Sequence, residues 1–304
     1  MGHATFHVGD LTAVIGDNEL FGEHRAGYNG IWSLHHAAGG RSPFVPAFAG
    51  LNLENIFDGE HFVPESVFFE PRRAPMTFRK LRDDEAELHQ PPTPTFHVES
   101  WTRFKLVPPH YIDMTFRFVV RQRIVNYGYI GLLWATYIDA PEDKSMYFLG
   151  GLEGQSDLWA QICTSAHNDE STVRHRDDKM ELTFRPGYRE ALYRHLSPLR
   201  FSAPFFYGLV DDYLWMVMFD RTAGIRFTHS PSGGGTNIQR HSNCPAWDFQ
   251  FIVPGYQVQK EYGFQARALL RPRCSREEVL QEYRKWAGPS AAAHLHIAAP
   301  RRVT

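Results

Sequence analysis

The sequence predicts an all-β protein, a large sandwich of antiparallel sheets with one helix near the C-terminus. Many short segments alternate apolar and polar residues, and Pro and Gly residues stand between them. Only one segment has the spacing of a well-capped amphipathic helix. No internal repeat and no break in composition divides the 304 residues, so we expect a single domain over 1–304.

The first clearly patterned strand is predicted over 95–106, and a second follows over 111–120. In each, every other side chain is apolar, which is typical of a strand with one buried face. The predicted inward residues are Phe96, Val98, Phe104, Leu106, Ile112, Met114, Phe116 and Phe118. The segment 128–139 is almost entirely apolar, which favours a strand buried on both faces.

Further strands are predicted over shorter apolar or alternating runs. They are 146–149, 180–185, 205–210, 213–220, 225–229, 247–253 and 258–270. A weaker signal indicates a helix over 155–163. The convincing helix is predicted at about 275–287, where Ser275 and Glu278 form a capping box and Gly288-Pro289 ends the pattern. A loose tail over 289–304 is expected after it.

Composition excludes several classes of protein. Hydrophobic residues make up 43% of the chain and charged residues 22%, as in ordinary globular proteins. The net charge of -2 argues against nucleic acid or an anionic membrane as the partner, because both require a basic surface. No apolar stretch is long enough for a transmembrane helix. The oligomeric state is left open.

Three cysteines and no C-x-x-C motif support neither a disulfide framework nor a zinc finger. The N-terminus has no basic start followed by an apolar run, so we expect a cytoplasmic protein. The alternative is a secreted protein whose leader has been removed.

The polar face of 95–106 is the first candidate binding surface. It presents His97, Glu99, Trp101 and Arg103 in one row. An aromatic ring that stacks on a sugar, flanked by charged groups that bind its hydroxyls, is a combination suited to carbohydrate. The alternative is a solvated sheet face with cross-strand ion pairs.

The segment 167–178 is the densest polar run, HNDESTVRHRDD. His167 or His175 with Glu170 would supply a general acid and base, and Arg174 would hold a substrate carboxylate. Neither H-x-x-x-H nor H-E-x-x-H spacing occurs here, so no metal site is predicted. The alternative is an exposed loop without a site.

The segment 226–250 carries a glycine-rich loop between polar residues. The candidate residues are His229, Arg240, Trp247, Asp248 and Gln250. Because Asp248 and Gln250 alternate with Trp247, Phe249 and Phe251, they should share one face of a strand. The stretch 43–61 adds Asn52, Glu54, Asn55 and His61 to the polar residues, without a specific role.

Several stretches resemble a bacterial family of the galactose-mutarotase-like supersandwich fold. They are GEHRAGYNGIWSL, FVPAFAGLNLEN, HQPPTPTFHVESWTRFKL, YIDAPEDKSMYF, HNDESTVRHRDD and THSPSGGG, between about residues 16 and 287. The resemblance implies that fold and a carbohydrate ligand. Better-known members of the fold include aldose 1-epimerases, in which a His is the general acid and a carboxylate the general base.

The sequence thus predicts a carbohydrate-active enzyme, an epimerase, isomerase or lyase, that uses acid–base chemistry without a metal or other cofactor. A sugar or uronide is the expected substrate. The acid would be His167 or His175, with His97 as a further candidate, and the base Glu170 or Asp248. The predicted substrate-binding residues are Glu99, Trp101, Arg103, Arg174, His229, Arg240, Trp247 and Gln250.

Two alternatives stay open. One is a non-catalytic carbohydrate-binding protein that uses the same aromatic residues. The other is a metal-dependent enzyme of the jelly-roll or cupin type that uses several of the 16 His residues.

Overall fold

The structure is a computed structural model that describes residues 2–155 and 157–292. Most of the predicted loose tail therefore lies outside the described residues. Within them, the prediction of an all-β sandwich with a C-terminal helix is confirmed. No helix of the described residues is both long and apolar enough to cross a membrane.

The strands, in chain order, are β1 (His3–Val8), β2 (Leu11–Gly16), β3 (Gly30–His36), β4 (Asn52–Phe57), β5 (Thr77–Arg82), β6 (Glu85–Gln90), β7 (Val98–Val107), β8 (Tyr111–Val120), β9 (Tyr129–Ala135), β10 (Met146–Leu152), β11 (Leu158–Ile162), β12 (Thr172–His175), β13 (Leu196–Phe201), β14 (Phe205–Val210), β15 (Tyr213–Phe219), β16 (Ile225–Ser230), β17 (Thr236–Asn237), β18 (Ser242–Asn243), β19 (Ala246–Pro254) and β20 (Glu261–Pro272). The helices are α1 (Glu65–Phe68), α2 (Glu70–Arg73) and α3 (Arg276–Ala292), with a 3₁₀ turn at Leu192–Arg194.

One sheet of fifteen strands dominates the molecule. Its order is β4-β9-β19-β16-β12-β13-β10-β14-β15-β20-β8-β7-β6-β5, and β11 pairs with β10 beside this path. All its pairs are antiparallel except β12 with β13. Strands β13 and β14 pair with different parts of β10. β1, β2 and β3 form a separate sheet, and β17 pairs with β18.

The large sheet folds over, so that its two halves pack against each other. Trp134 of β9 lies 4.7 Å from Phe116 of β8, and Phe249 of β19 lies 4.8 Å from Phe219 of β15, measured between ring centroids. These strands are far apart in the sheet order, so the contacts are between layers. The inward residues predicted for 95–106 and 111–120 are all buried in this core.

A second apolar cluster covers the opposite face of β4, β9 and β19. On β19, Trp247 and Phe249 point into the main core, whereas Ala246 and Ile252 point to the second cluster. The cover over this face comes from α1 and α2 and from the segment 180–193. The prediction that Asp248 and Gln250 share a face agrees with this alternation.

Two predicted elements are wrong. The segment 155–163, predicted as a weak helix, contains strand β11, because residues 158–162 pair with the edge of β10. The predicted strand 180–185 has no ladder partner. Its alternating residues Met180, Leu182 and Phe184 instead pack on the second cluster, so the pattern reflects side-chain burial without strand pairing.

Helix α3 begins at the predicted capping box. The Ser275 hydroxyl accepts a hydrogen bond from the Glu278 amide at 3.2 Å, and the Glu278 carboxylate accepts one from the Ser275 amide at 2.9 Å. Val279, Leu280 and Tyr283 pack on β14, β15 and β20. Gly288 breaks the helical backbone with φ 77, as expected, but 289–292 return to helix, whereas a loose tail was predicted there.

Candidate functional site

A cavity of about 470 Å³ lies on the covered face of β4, β9 and β19. That volume is within the usual range for small-molecule sites. Its wall is largely aromatic, with Tyr28, Phe68, Phe69, Tyr137 and Tyr193. Its polar groups include three carboxylates, from Glu54, Glu190 and Asp248. The cavity therefore combines apolar rings with acidic groups in one space that is open to solvent on one side.

An irregularity in β4 brings Glu54 into the cavity. Opposite β9 the register shifts between Leu53 and Asn55, so that Glu54 is the extra residue of a β-bulge. Both Glu54 and Asn55 line the cavity as a result. The Asn55 amide donates to the Phe68 carbonyl at 2.7 Å, which fixes α1 over the cavity.

Two donors hold the Glu54 carboxylate. The Tyr137 hydroxyl donates to Glu54 Oε1, and Arg72 Nη1 donates to the same oxygen at 3.3 Å. Burial raises the pKa of Glu54, while the positive charge of Arg72 opposes that effect. Glu54 is thus a buried carboxylate with a charged partner.

Asp248 has a different environment. It is 1% exposed, and its Oδ1 accepts one hydrogen bond, from the Thr136 amide at 3.0 Å. Burial raises the pKa of Asp248 well above its usual range, and the negative charge of Glu54 raises it further. The neutral carboxylic acid, which is able to donate a proton, is therefore favoured at Asp248.

Two guanidinium groups stack on the aromatic wall. Arg72 lies 4.1 Å from the centre of the Tyr28 ring, and Arg189 lies 3.9 Å from the centre of the Phe68 ring. Arg72 is paired with Glu54. Within the described part of the chain, Arg189 forms no ion pair with a carboxylate, so its charge is available to a ligand.

Two predicted residues from different segments meet at this cavity. His167 and Asp248 both line it, although 81 positions separate them in the chain. His167 is exposed, and its Nε2 lies 2.9 Å from the Ser230 hydroxyl, which also lines the cavity. The 167–178 and 226–250 segments therefore converge, as an acid–base site requires.

The row predicted on 95–106 does not reach the cavity. Glu99 binds His89 and Arg121, and Arg103 pairs with Glu85 and Glu87. Trp101 stacks on His89 and lies under Arg117, 3.8 Å from its guanidinium carbon. His97 lies in the turn before β7 with φ 50. This face fits the alternative of cross-strand ion pairs.

Four predicted residues are buried and already bonded to the protein. Trp247 lies in the main core and donates to the Lys144 carbonyl at 3.0 Å, so it has no surface on which a sugar can stack. His229 bonds with Thr164 and the Lys144 carbonyl, and burial lowers its pKa to about 4. Gln250 donates to Thr228 at 2.6 Å, and Arg174 to Glu181 at 2.7 Å.

The remaining predicted residues lie outside the cavity lining. Glu170 is exposed, with φ 40. His175 lies at the end of β12, 3.7 Å from the Asp177 carboxylate. Arg240 pairs with Asp211 at 3.1 Å. Their positions do not support the predicted roles of Glu170 and His175 as base and acid, or of Arg240 as a substrate ligand.

Several cavity residues received no role in the sequence analysis. Glu54 carried a signal, because the apolar residues of LNLENIF stand at 51, 53 and 56, and the change of spacing marks a bulge. Tyr137 belongs to an apolar run that predicts only core. Arg72 lies in the four-residue helix α2 and Arg189 in a connecting segment, and neither is long or regular enough for a periodic pattern to indicate which way a side chain points.

Comparison with solved structures identifies the fold. A protein named as a candidate aldose 1-epimerase from Escherichia coli K12 aligns with a TM-score of 0.50 and 9% identity, over 89% of this chain and 99% of its own. The chain therefore has the galactose-mutarotase-like sandwich fold, as the sequence resemblance implied. No protein-family model matches the sequence, and no curated protein matches it either.

Two further structures are similar at lower TM-scores. A homologue of galactose mutarotase from C. elegans aligns at 0.45 with 9% identity, over 90% of this chain and 100% of its own. A mutant heparan sulfate lyase from Pedobacter heparinus aligns at 0.47 with 9% identity, over 90% of this chain and 36% of its own.

Proposed function

We propose that the chain is a carbohydrate-active enzyme that transfers protons between a sugar and two carboxyl groups, Glu54 and Asp248. The observation that carries the proposal is the pair itself. Both groups line one aromatic cavity, yet Glu54 has a cationic partner, whereas Asp248 forms no ion pair with any described residue. Paired carboxyl groups in unlike environments are the usual arrangement for a general base and a general acid.

The two environments assign the roles. Glu54, held by Arg72 and Tyr137, is the carboxylate that takes a proton from a substrate O–H or C–H bond. Asp248, neutral because of its burial, gives a proton to the substrate oxygen whose bond breaks. This differs from the sequence-based hypothesis, in which a His was the acid. His167, an exposed residue of the cavity lining, would bind or orient the sugar.

The cavity wall suits a sugar ring. Phe69 is partly exposed and offers an aromatic ring for stacking, and Asn55 places an amide in the same wall. Arg189 on Phe68 places a positive charge where the carboxylate of a uronide would be neutralised. A fold shared with a candidate aldose 1-epimerase is consistent with this ligand class.

A panel of reducing sugars and uronides tests the proposal. Wild-type protein is incubated with each sugar, and anomeric or C–H exchange is followed by NMR, with ultraviolet absorbance for unsaturated products. For any substrate found, Glu54→Gln and Asp248→Asn should each lower kcat by about 10²–10⁴-fold, because each removes one proton-transfer partner. The dissociation constant for the sugar should change little.

The control is Asp177→Asn, an exposed carboxylate that does not line the cavity, which should leave kcat unchanged. Binding of sugar without any turnover would replace the proposal with the alternative of a carbohydrate-binding protein. Neither binding nor turnover across the panel would overturn both.

A further inference from the structure

Three chain segments meet on the molecule outside the candidate site. Asp10 lies in the β1–β2 turn, His36 is the last residue of β3, and His110 lies in the β7–β8 turn. Backbone hydrogen bonds hold the segments together, from the Asp10 amide to the Pro109 carbonyl at 2.6 Å and from the Ala37 amide to the Asp10 carbonyl at 2.7 Å. None of the three side chains lines the cavity.

The side chains of this Asp10 cluster point at one another. Asp10 Oδ2 lies 3.8 Å from His36 Nε2 and 3.8 Å from His110 Nδ1, and the three ligand atoms all lie within 4.8 Å of one another. Zinc binds nitrogen and carboxylate oxygen at about 2.0–2.2 Å, so two ligands of one ion are at most about 4 Å apart. Small side-chain movements would bring all three atoms onto one ion.

One nitrogen atom that faces Asp10, Nε2 of His36, lacks a hydrogen-bond partner. The His36 side chain is only 7% exposed, and its Nε2 has no hydrogen-bond partner among the described residues. Nε2 of His110 is also unpartnered among the described residues, but the His110 atom that faces Asp10 is Nδ1. Buried polar atoms are nearly always bonded, so an unpartnered nitrogen that faces a carboxylate at 3.8 Å requires an explanation. A metal ion between them provides one for His36.

A metal ion on His36 Nε2 requires the ring to move its proton to Nδ1. The Ala38 amide donates to His36 Nδ1 at 3.1 Å, so a neutral ring without metal carries its proton on Nε2. A cation on Nε2 would move that proton to Nδ1. Metal binding would therefore cost the Ala38–His36 hydrogen bond, which is exposed, so that water can replace His36 as the acceptor for the Ala38 amide.

We propose that Asp10, His36 and His110 bind a divalent transition metal, zinc above all, in a structural site. Two imidazoles and one carboxylate form a ligand set that zinc accepts, with water as a fourth ligand. Asp10 is 44% exposed, which leaves room for that water. The ion would tie the three-stranded N-terminal sheet to the β7–β8 hairpin of the large sheet. The proposal does not depend on the function assigned to the cavity.

Zinc titration of the full chain tests the proposal. After treatment with EDTA and removal of the chelator, calorimetry should show one zinc ion bound per chain, and zinc should raise the melting temperature. Cobalt in the same site should give a visible absorption band typical of low coordination number. Magnesium, which prefers oxygen ligands, should do neither.

Variants then locate the ion. His36→Ala and His110→Ala should each weaken zinc binding by about 100-fold or more, since ligand loss costs at least as much as loss of a supporting group. Asp10→Asn changes an exposed side chain without changing its shape, so this variant should fold. It therefore tests the site even if a histidine variant fails to fold. The control is His35→Ala, the exposed neighbour on β3, which should bind zinc as wild type does.

Two results would overturn the proposal. One is wild-type protein that takes up no zinc and shows no cobalt band. The other is zinc binding that persists unchanged in Asp10→Asn and His36→Ala, which would place the ion elsewhere.

Discussion

Asp248 shows at the scale of one residue how a candidate catalytic group acts on stability. Folding raises its pKa, so over the pH range between the unfolded and folded values the folded chain holds a proton that the unfolded chain has released. Stability is therefore lost as pH rises from the ordinary aspartate pKa, about 3.9, towards the folded pKa. Each unit by which folding raises the pKa corresponds to about 1.4 kcal/mol.

Asp248→Asn should remove the loss of folding stability that occurs as pH rises. Asparagine keeps an oxygen for the Thr136 amide and cannot ionise, so the variant should gain stability relative to wild type as pH rises. The measurement is urea unfolding at pH 5 and pH 8, with Asp177→Asn as an exposed control that shows no such trend. A stability difference that is the same at both pH values would contradict a raised pKa.

The sequence predicted the direction of a side chain correctly where the alternation within one strand determines which face the residue is on. Asp248 alternates with large apolar residues, so the face it shares with Gln250 was evident. The same alternation puts Trp247 on the opposite face, in the main core, although we predicted it as a substrate-binding residue. Glu54 was not assigned because a bulge shifts the phase of the strand, and a shift of one residue changes the face.

Helix α3 illustrates the element scale, where local sequence rules hold best. Its start depends on residues three apart, Ser275 and Glu278, and both reciprocal bonds are present. Local rules fail for strand β11. Its conformation depends on pairing with the edge of β10, and the sequence of 158–162 alone does not indicate that this edge is available.

Ser275→Ala should lower the free energy of unfolding by about 1 kcal/mol, the usual value of such a cap. The effect should reach the whole molecule, because Val279 and Leu280 are buried against the sheet. Urea unfolding measures it. Glu277→Gln, an exposed change beside the cap, should stay within about 0.5 kcal/mol of wild type; equal effects of the two changes would argue against the cap.

At the scale of the whole molecule, the large sheet has an inner face in the main core and an outer face towards solvent. Trp134 joins the layers, with Phe116, Phe249 and Phe264 around it. Trp101 stands on an outer face between His89 and Arg117. The sequence predicted a sandwich because alternation reports burial, but it could not give the pairing of β4 with β9 or β9 with β19, which joins distant parts of the chain.

Trp134→Ala should cost about 3–5 kcal/mol in the free energy of unfolding, as for a large core side chain. Trp101→Ala should cost about 1 kcal/mol, the value of an exposed cation–π contact, and should leave sugar turnover unchanged. Chemical denaturation measures the stability of the two variants, and the sugar-turnover assay measures their activity. Loss of turnover in Trp101→Ala would restore the role predicted for it from the sequence.

The strand order has a consequence for how the chain folds during synthesis. Strand β4 lies near the start of the chain, but the layer it belongs to is completed by β19, about two hundred residues later. A ribosome that has not yet reached β19 has therefore completed neither layer of the large sheet. Until β19 and β20 are synthesised, we expect the nascent chain to expose unpaired strand edges. We therefore expect it to fold slowly and to depend on chaperones during that time.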